Sequence, residues 1–378
     1  MSVPVVGMVG GGQLARMTQQ ASIPLGIAFR VLAADEHDSA ALVSGTVQVG
    51  DHRALEDLRA FAKGCDVLTF DHEHVPAEHL HRLVKDKTVV RPGPHALIHA
   101  QDKAVMRARL GRAGIPAPRW GAVSGPDDLR AFADEWGWPV VLKAVRGGYD
   151  GKGVWVVESA RHAGELLPRL SGLSLFAEER VPFRRELAAL VARSPSGQAA
   201  AYPAVETVQR DGICVEVLAP APGLDADRAV DAQHVALAVA GELDVTGLLA
   251  VELFETDDGL LVNELAMRPH NSGHWTLDGA RTSQFEQHLR AVLDLPLGSP
   301  QPTTPYAVMA NVLGGDDPDV HGRFVHVMAH DPAVRVHLYG KAVRPGRKIG
   351  HVTVCGDDPD DLRARARHAA AYLAEGDA

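Results

Sequence analysis

Two acids on apolar runs set the first chemical constraint. Glu252 lies in the run 248–254 and Glu264 in the run 260–265, joined by a turn at Asp257-Asp258-Gly259. That pattern predicts a hairpin. Carboxylates on otherwise apolar strands are costly unless paired or bound to a metal. Two of them converging on one face suit Mg2+, which takes oxygen ligands and is usually shared with substrate phosphates; pairing with Arg268 or Arg281 is the alternative. Lys143 closes the apolar run 139–144, four residues before Gly147-Gly148-Tyr149-Asp150-Gly151-Lys152-Gly153, with Val154 opening the next strand. Such a lysine supplies charge to a polyphosphate, and the glycines let backbone N–H groups approach its oxygens. A plain surface hairpin is the competing reading. Glu178-Glu179-Arg180-Val181 follows the strand 175–177, with Glu186 beyond it. A linker between domains can offer backbone groups to an adenine edge while a carboxylate accepts from ribose hydroxyls. Alone, the same cluster is a solvated charged stretch.

Other patterns offer rival chemistry. Gly10-x-Gly12-x-x-Ala15 between a strand and a helix, with Asp35 about 20 residues on, meets the dinucleotide fingerprint. The same geometry holds any phosphate or carboxylate at a helix N-terminus, or is simply a tight turn. His72 and His74 would share a strand face, and His270 and His274 flank Asn271-Ser272-Gly273. Neither pair has the helical His-Glu-x-x-His arrangement of a zinc hydrolase, so they are read as ordinary hydrogen-bonding histidines.

The elements that must position these residues alternate at first. Apolar runs 3–9, 27–34 and 67–70 are interleaved with helical patterns after Gly12 and near 54–63 and 77–85, which predicts a doubly wound parallel sheet over residues 1–111. Residues 112–182 form a smaller unit holding the glycine loop. Residues 183–378 are strand-rich, with strands expected at 186–192, 199–206, 213–219, 247–254 and 260–264, helices near 225–240 and 283–293, and a small terminal subdomain from about 305. Asp358 and Pro359 predict the start of a last helix over 359–374.

Composition narrows the class. The 378 residues are 46% hydrophobic and 23% charged, with a net charge of −10. That balance suits a globular protein and argues against a nucleic-acid partner. Cys65, Cys214 and Cys355 are widely spaced, which predicts reduced thiols and a cytoplasmic setting. The first residues lack the pattern of a signal peptide, and no apolar run reaches the roughly 18–20 residues that span a bilayer, so no membrane association is expected.

The segment Val262-Asn263-Glu264-Leu265-Ala266-Met267-Arg268-Pro269-His270-Asn271-Ser272-Gly273-His274-Trp275-Thr276 resembles a signature of the 5-(carboxyamino)imidazole ribonucleotide synthases. Residues 10–17, 69–75, 101–103, 149–153 and 339–348 resemble the family in the same order, so the likeness covers nearly the whole chain. It implies an ATP-grasp fold, α/β with α+β parts: an N-terminal doubly wound domain, a central lid and a larger strand-rich domain. The implied reaction joins ATP, bicarbonate and 5-aminoimidazole ribonucleotide, a step of purine biosynthesis, in a homodimer using Mg2+.

By this resemblance Lys103 and Lys143 hold nucleotide phosphates under Gly148, Tyr149, Asp150, Gly151, Lys152, Gly153 and Val154. Glu178, Glu179, Arg180 and Val181 meet the adenine, Glu186 the ribose, and Gln209 and Asn263 complete the nucleotide site. Glu252 and Glu264 carry Mg2+. Gln13, Glu73, His270, Asn271, Lys341 and Arg347 bind the second substrate, the last two within the basic turn 341–348. Tyr149, Asp150, Lys152 and Arg268 are the catalytic candidates, with Asp150 a proton acceptor. Four positions depart from the family pattern: Gln209 replaces a frequent His, Met267 a Pro, Ala15 a Gly and Lys152 an Arg. Another ATP-grasp ligase would lack residues 271–276 and the basic turn. An oxidoreductase would leave Lys143, Glu252 and Glu264 unexplained, and a non-catalytic subunit would not need both acids and both lysines.

Overall fold

The structure is a computed structural model that describes residues 3–148 and 151–376. The first unit runs β1 (Val5–Val9), α1 (Gln13–Ser22), β2 (Ala28–Ala33), β3 (Val47–Val49), α2 (Leu55–Ala62), β4 (Val67–Phe70), α3 (Ala77–Lys85), α4 (Pro94–Gln101) and α5 (Lys103–Arg112). Its four strands pair in parallel in the order β3-β2-β1-β4. Strand β3 and helices α4 and α5 were not anticipated. Pro94 opens α4 at a position where its missing N–H costs nothing, and the Asp102 side chain accepts from Val105 N to cap α5.

The second unit is a four-stranded antiparallel sheet, order β5-β8-β6-β7. It comprises β5 (Trp120–Val123), α6 (Pro126–Trp136), β6 (Val140–Ala144), β7 (Val154–Val157), α7 (Ala160–Leu166) and β8 (Leu175–Glu179). Val140, Leu142, Leu175 and Ala177 pack with Leu129, Ala133 and Ala163 into a core confined to this unit. Because side chains alternate along a strand, Val141, Lys143 and Glu178 must face the opposite side.

The third unit begins with β9 (Arg185–Arg193), β10 (Ala199–Ala201), β11 (Val205–Arg210) and β12 (Ile213–Ala219). Helix α8 (Ala226–Glu242) precedes β13 (Gly247–Glu255), β14 (Leu260–Ala266), the single turn α9 (Thr276–Gly279) and α10 (Gln284–Val292). Then come β15 (Tyr306–Leu313), α11 (Val320–His330), β16 (Arg335–Leu338), β17 (Lys348–Gly356) and α12 (Pro359–Glu375). The single strand expected over 199–206 is two, separated by Tyr202-Pro203-Ala204, where proline has no N–H for the ladder. Asp358 caps α12 by accepting from Asp360 N and Asp361 N, as its sequence predicts.

One nine-stranded sheet runs β14-β13-β9-β11-β12-β15-β17-β16, with β10 paired to β9, so the terminal strands extend the same sheet. Leu187, Ala189 and Val191 of β9 pack with Ala232, Ala236 and Val239 of α8. Ala188, Leu190 and Ala192 face the other way, toward Trp275 and Ala291. Burial on both faces explains why β9 reads as an unbroken apolar run. Ala96, Leu97, Met106 and Leu110 of α4 and α5 join the same core as β9, which ties the first unit to the large sheet. No described helix is long and apolar enough to cross a membrane.

Candidate active site

The three units enclose a cavity of about 1180 Å³. Gln13, Glu73 and Lys103 line it from the first unit, and Lys143, Gly148, Gly151, Val154, Glu178 and Glu179 from the second. Arg180 and Val181 come from the linker; Glu186, Gln209, Glu252, Asn263, Glu264, Arg268, His270 and Asn271 come from the third unit. Lys152 is exposed, and neither it nor Gly153 is among the lining residues. Tyr149 and Asp150 lie outside the described residues.

Glu252 and Glu264 are direct cross-strand partners in the β13–β14 hairpin, with a register shift after Glu252. Neither pairs with Arg268 or Arg281 in an ion pair: Glu264 accepts from Lys103 Nζ at 2.8 Å, and Glu252 faces His270 Nε2 at 3.5 Å. Burial first, then the negative charges of Glu264 and Glu186, push the Glu252 carboxyl up to about 8. A bound cation would relieve that repulsion, and the all-oxygen donor set fits Mg2+. His270 is pushed down to about 3 by burial, with Arg268 and Lys348 adding to the shift, so it is a neutral hydrogen-bonding imidazole. Its Nδ1 sits 2.8 Å from Ser272 Oγ.

Lys143 donates to Glu178 Oε2 at 2.6 Å and to Asn263 Oδ1 at 3.1 Å. The other Glu178 oxygen accepts from Arg107 Nε at 2.5 Å, and Arg107 also reaches the Asn263 carbonyl at 2.6 Å. Burial opposes the Glu178 charge, but Arg107 and Lys143 outweigh it and hold the carboxyl below its ordinary range. The Glu178 side chain is therefore a buried anchor between two cations rather than part of a solvated cluster. Glu179 does pair outward, with Arg119 at 3.4 Å. Arg107 was missed by sequence reasoning. Its signal was the four-residue spacing from Lys103 on α5, which places both on one helix face.

The glycine loop covers the lysines closely. A Cβ added at Gly148 would lie 3.8 Å from Lys103 Nζ and 2.8 Å from the Lys152 carbonyl, and one at Gly151, whose φ is +73°, 3.0 Å from Gly212 Cα. Only glycine permits that approach of the lid to the β11–β12 turn. Phe183 and Phe254 stack with centroids 4.7 Å apart beside the linker, an apolar wall that the sequence had not indicated.

At the other end Arg268 Nε donates to Glu73 Oε2 at 2.8 Å. Burial works against the Arg268 charge, but Glu73, Asp71 and Glu264 raise its pKa above the ordinary value. The second Glu73 oxygen is buried and has no hydrogen-bond partner among the described residues. Lys341 donates to Gln13 Oε1. Asn271 exchanges amide hydrogen bonds with Asn311 at 2.8 and 2.9 Å, a partner not foreseen. Arg347 is exposed, donates to the Ala342 carbonyl at 3.3 Å and lies off the cavity lining, whereas the adjacent Lys348 lines it.

The N-terminal glycine turn is already filled. Asp71, at the end of β4, accepts from Gly12 N at 2.5 Å, and a Cβ at Gly10 or Gly12 would collide with its carboxylate. An anion thus occupies the start of α1, where a dinucleotide pyrophosphate would sit. Asp35 is exposed and accepts from His37 N. Burial raises the Asp71 pKa from 3.8 to about 6, against the Gly12 hydrogen bond that lowers it. A carboxyl raised in this way adds stability at low pH that is lost as pH climbs through about 6. Asp71→Asn is expected to remove that component, on the order of 3 kcal/mol between the two limits. Urea unfolding of both proteins across that window measures it; parallel pH profiles would refute the assignment.

Comparison with known proteins agrees with this geometry. Residues 3–101 match the ribonucleotide synthetase preATP-grasp domain, residues 108–285 the ATP-grasp domain, and residues 307–365 the phosphoribosylaminoimidazole carboxylase C-terminal domain. The N5-carboxyaminoimidazole ribonucleotide synthase of Mycobacterium tuberculosis is 58% identical over 379 residues, spanning 99% of this chain and 88% of that protein. A crystal structure of the Thermus thermophilus N5-carboxyaminoimidazole ribonucleotide synthetase superposes with a TM-score of 0.89 at 39% identity, covering 98% of each chain. The Aspergillus clavatus N5-carboxyaminoimidazole synthase, solved in complex with ADP and 5-aminoimidazole ribonucleotide, gives 0.91 at 33% identity, again over 98% of each. A cavity walled by paired lysines and facing acids, on a scaffold shared from end to end with these enzymes, places the chain in the N5-carboxyaminoimidazole ribonucleotide synthase family.

Proposed function

We infer that this chain is an ATP-dependent carbon–nitrogen ligase of purine biosynthesis, carboxylating 5-aminoimidazole ribonucleotide with bicarbonate to give the N5-carboxyamino product, ADP and phosphate. The observation that carries the reading is the convergence of Lys103, Lys143, Asn263, Glu252 and Glu264 in the cavity that also holds Glu73, Arg268, His270 and Asn271. ATP enters between lid and large sheet. Its adenine lies against Phe254 and the backbone of Arg180 and Val181, with Glu179 at the rim, and its ribose meets Glu186. Gln209 lies beside the nucleotide. Its phosphates meet Lys103, Lys143 and the N–H groups of Gly148, Gly151, Gly153 and Val154, with Lys152 at the outer edge. Glu252 and Glu264 would hold Mg2+, which when bound neutralises phosphate charge.

Bicarbonate is a poor electrophile, so one of its oxygens attacks the γ-phosphorus and ADP leaves with the electron pair of the bridging oxygen. The carboxyphosphate so formed breaks its carbon–oxygen bond, passes its proton to the departing phosphate and yields CO2. The substrate amine attacks that carbon and releases one proton. Phosphoryl transfer asks the protein mainly to position groups and balance charge. Arg268, kept charged by Glu73, faces the developing anion, and the unpartnered Glu73 oxygen is an acceptor for the substrate's N–H groups. Gln13, His270, Asn271, Lys341 and Arg347 bind the ribonucleotide. Tyr149 and Asp150, which belong to the glycine-rich sequence 147–153, are assigned to the amine substrate, with Asp150 taking its proton. Closure of residues 112–182 against residues 1–111 and 183–378 excludes water, which would otherwise hydrolyse carboxyphosphate. The enzyme works in the cytoplasm as a homodimer.

An assay of ADP release tests the reading. Turnover should require both 5-aminoimidazole ribonucleotide and bicarbonate; equal ADP release with the ribonucleotide omitted would point to another ATP-grasp ligase.

A further inference from the structure

Three histidines that the reaction does not use meet between the last two helices. His326 and His330 are four residues apart on α11, and His368 comes from α12. One ring nitrogen from each lies within 4.8 Å of the other two. The rings are close: His330 and His368 have centroids 4.7 Å apart, His326 and His368 6.1 Å. His368 Nε2 is shielded from solvent yet makes no hydrogen bond among the described residues. A hidden ring nitrogen without a partner is unfavourable unless something else satisfies it. The cluster has no part in lining the substrate cavity.

We propose that His326, His330 and His368 form a binding site for a single first-row transition-metal ion of the Zn2+ class. Four-residue spacing sets two imidazoles on one face of a helix, the arrangement that lets a single helix supply two ligands. A third imidazole from a neighbouring helix completes a three-nitrogen set, and imidazole favours Zn2+, Cu2+ and Ni2+ over Mg2+ or Ca2+. At metal–nitrogen lengths of about 2.0–2.1 Å, tetrahedral ligand atoms stand about 3.4 Å apart. Small side-chain rotations therefore close the site. His326 and His330 are exposed, so an ion can enter from solvent and keep water as its fourth ligand. The nearby Arg365 does not oppose it with a bare charge, since Asp331 pairs with it at 2.7 Å. Tyr372 stacks on His326 at 3.7 Å between ring centroids, which supports that ring from the outer side. The ion fastens α11 to α12 and so stiffens the end of the large sheet.

The test uses the full chain stripped with EDTA and titrated with ZnCl2 by calorimetry. Co2+ serves as the spectroscopic probe. The expected result is an equivalent of metal whose Co2+ form shows tetrahedral ligand-field bands, and a melting temperature raised by about 3 °C or more at a hundredfold excess over Kd. His330→Gln, at an exposed position, and His368→Gln should each abolish that equivalent and the thermal shift. ATP turnover should stay unchanged in both. Absence of zinc binding would overturn the proposal, and so would an equivalent untouched by either variant, which would belong to other histidines such as His52 and His72.

Discussion

Glu264→Gln is expected to lower ATP turnover by roughly 10²–10³-fold while the protein stays folded, the range seen when one preorganised charge contact is lost. The substitution keeps the shape of the side chain and removes one negative charge from a crowded group. Glu252, its cross-strand partner, is already pushed up to about 8 by burial and by its neighbours. Relieving that repulsion should leave the free protein no less stable. The loss is expected instead in the nucleotide complex, because Glu264 is proposed to hold Mg2+ there and pairs with Lys103 at 2.8 Å. Turnover at saturating Mg2+ and ATP, with circular dichroism as the folding control, measures the effect. Near wild-type turnover would refute the metal assignment. A rise in KM for ATP with unchanged kcat would mean that Glu264 acts only by placing Lys103.

Lys341→Ala should raise the KM for 5-aminoimidazole ribonucleotide by roughly 30- to several-thousand-fold, the equivalent of ~2–5 kcal/mol for truncating one partner of a desolvated charge pair. ATP binding without that substrate should barely change. Lys341 is not itself a lining residue of the cavity, but a fixed turn in the terminal segment holds it beside Gln13, which is. Gly340 has φ +68°, and a Cβ there would meet Arg16 Nη1 at 3.1 Å. Tyr339 just before it is buried, its hydroxyl 2.7 Å from His351 Nδ1, and its carbonyl accepts from Ser39 Oγ at 2.5 Å. The lysine is thus held against Gln13, with its ammonium 5.6 Å from the Tyr339 ring centroid. Arg347→Ala should act in the same direction but less, because an exposed rim charge contributes less than a desolvated one. Steady-state kinetics with ATP saturating, together with direct ATP titration, separate the outcomes. Equal weakening of ATP and ribonucleotide binding would refute the assignment of Lys341 and Arg347 to the ribonucleotide.

Much of the lysine and acid lining of the cavity was legible in the chain because its geometry is local. Alternation along β6 commits Lys143 to the face opposite Leu142, and the glycines after it permit a close-fitting loop. The short turn between β13 and β14 commits Glu252 and Glu264 to neighbouring strands. The helix begun at Asp358-Pro359 is likewise a matter of adjacent residues. What remained hidden depends on partners far apart in sequence. Glu178 could be read as solvated until Arg107 and Lys143, 71 positions away in one case, closed on it from both sides. The glycine turn at Gly10–Gly12 could have received a pyrophosphate until Asp71 filled it from β4. Lys341 and Gln13 lie 328 positions apart, and Asn271 meets Asn311 through the pairing of a later strand. Local periodicity determines which face a side chain takes, but its partner and its charge state depend on which surfaces are buried together. Packing of three units around one cavity decided those.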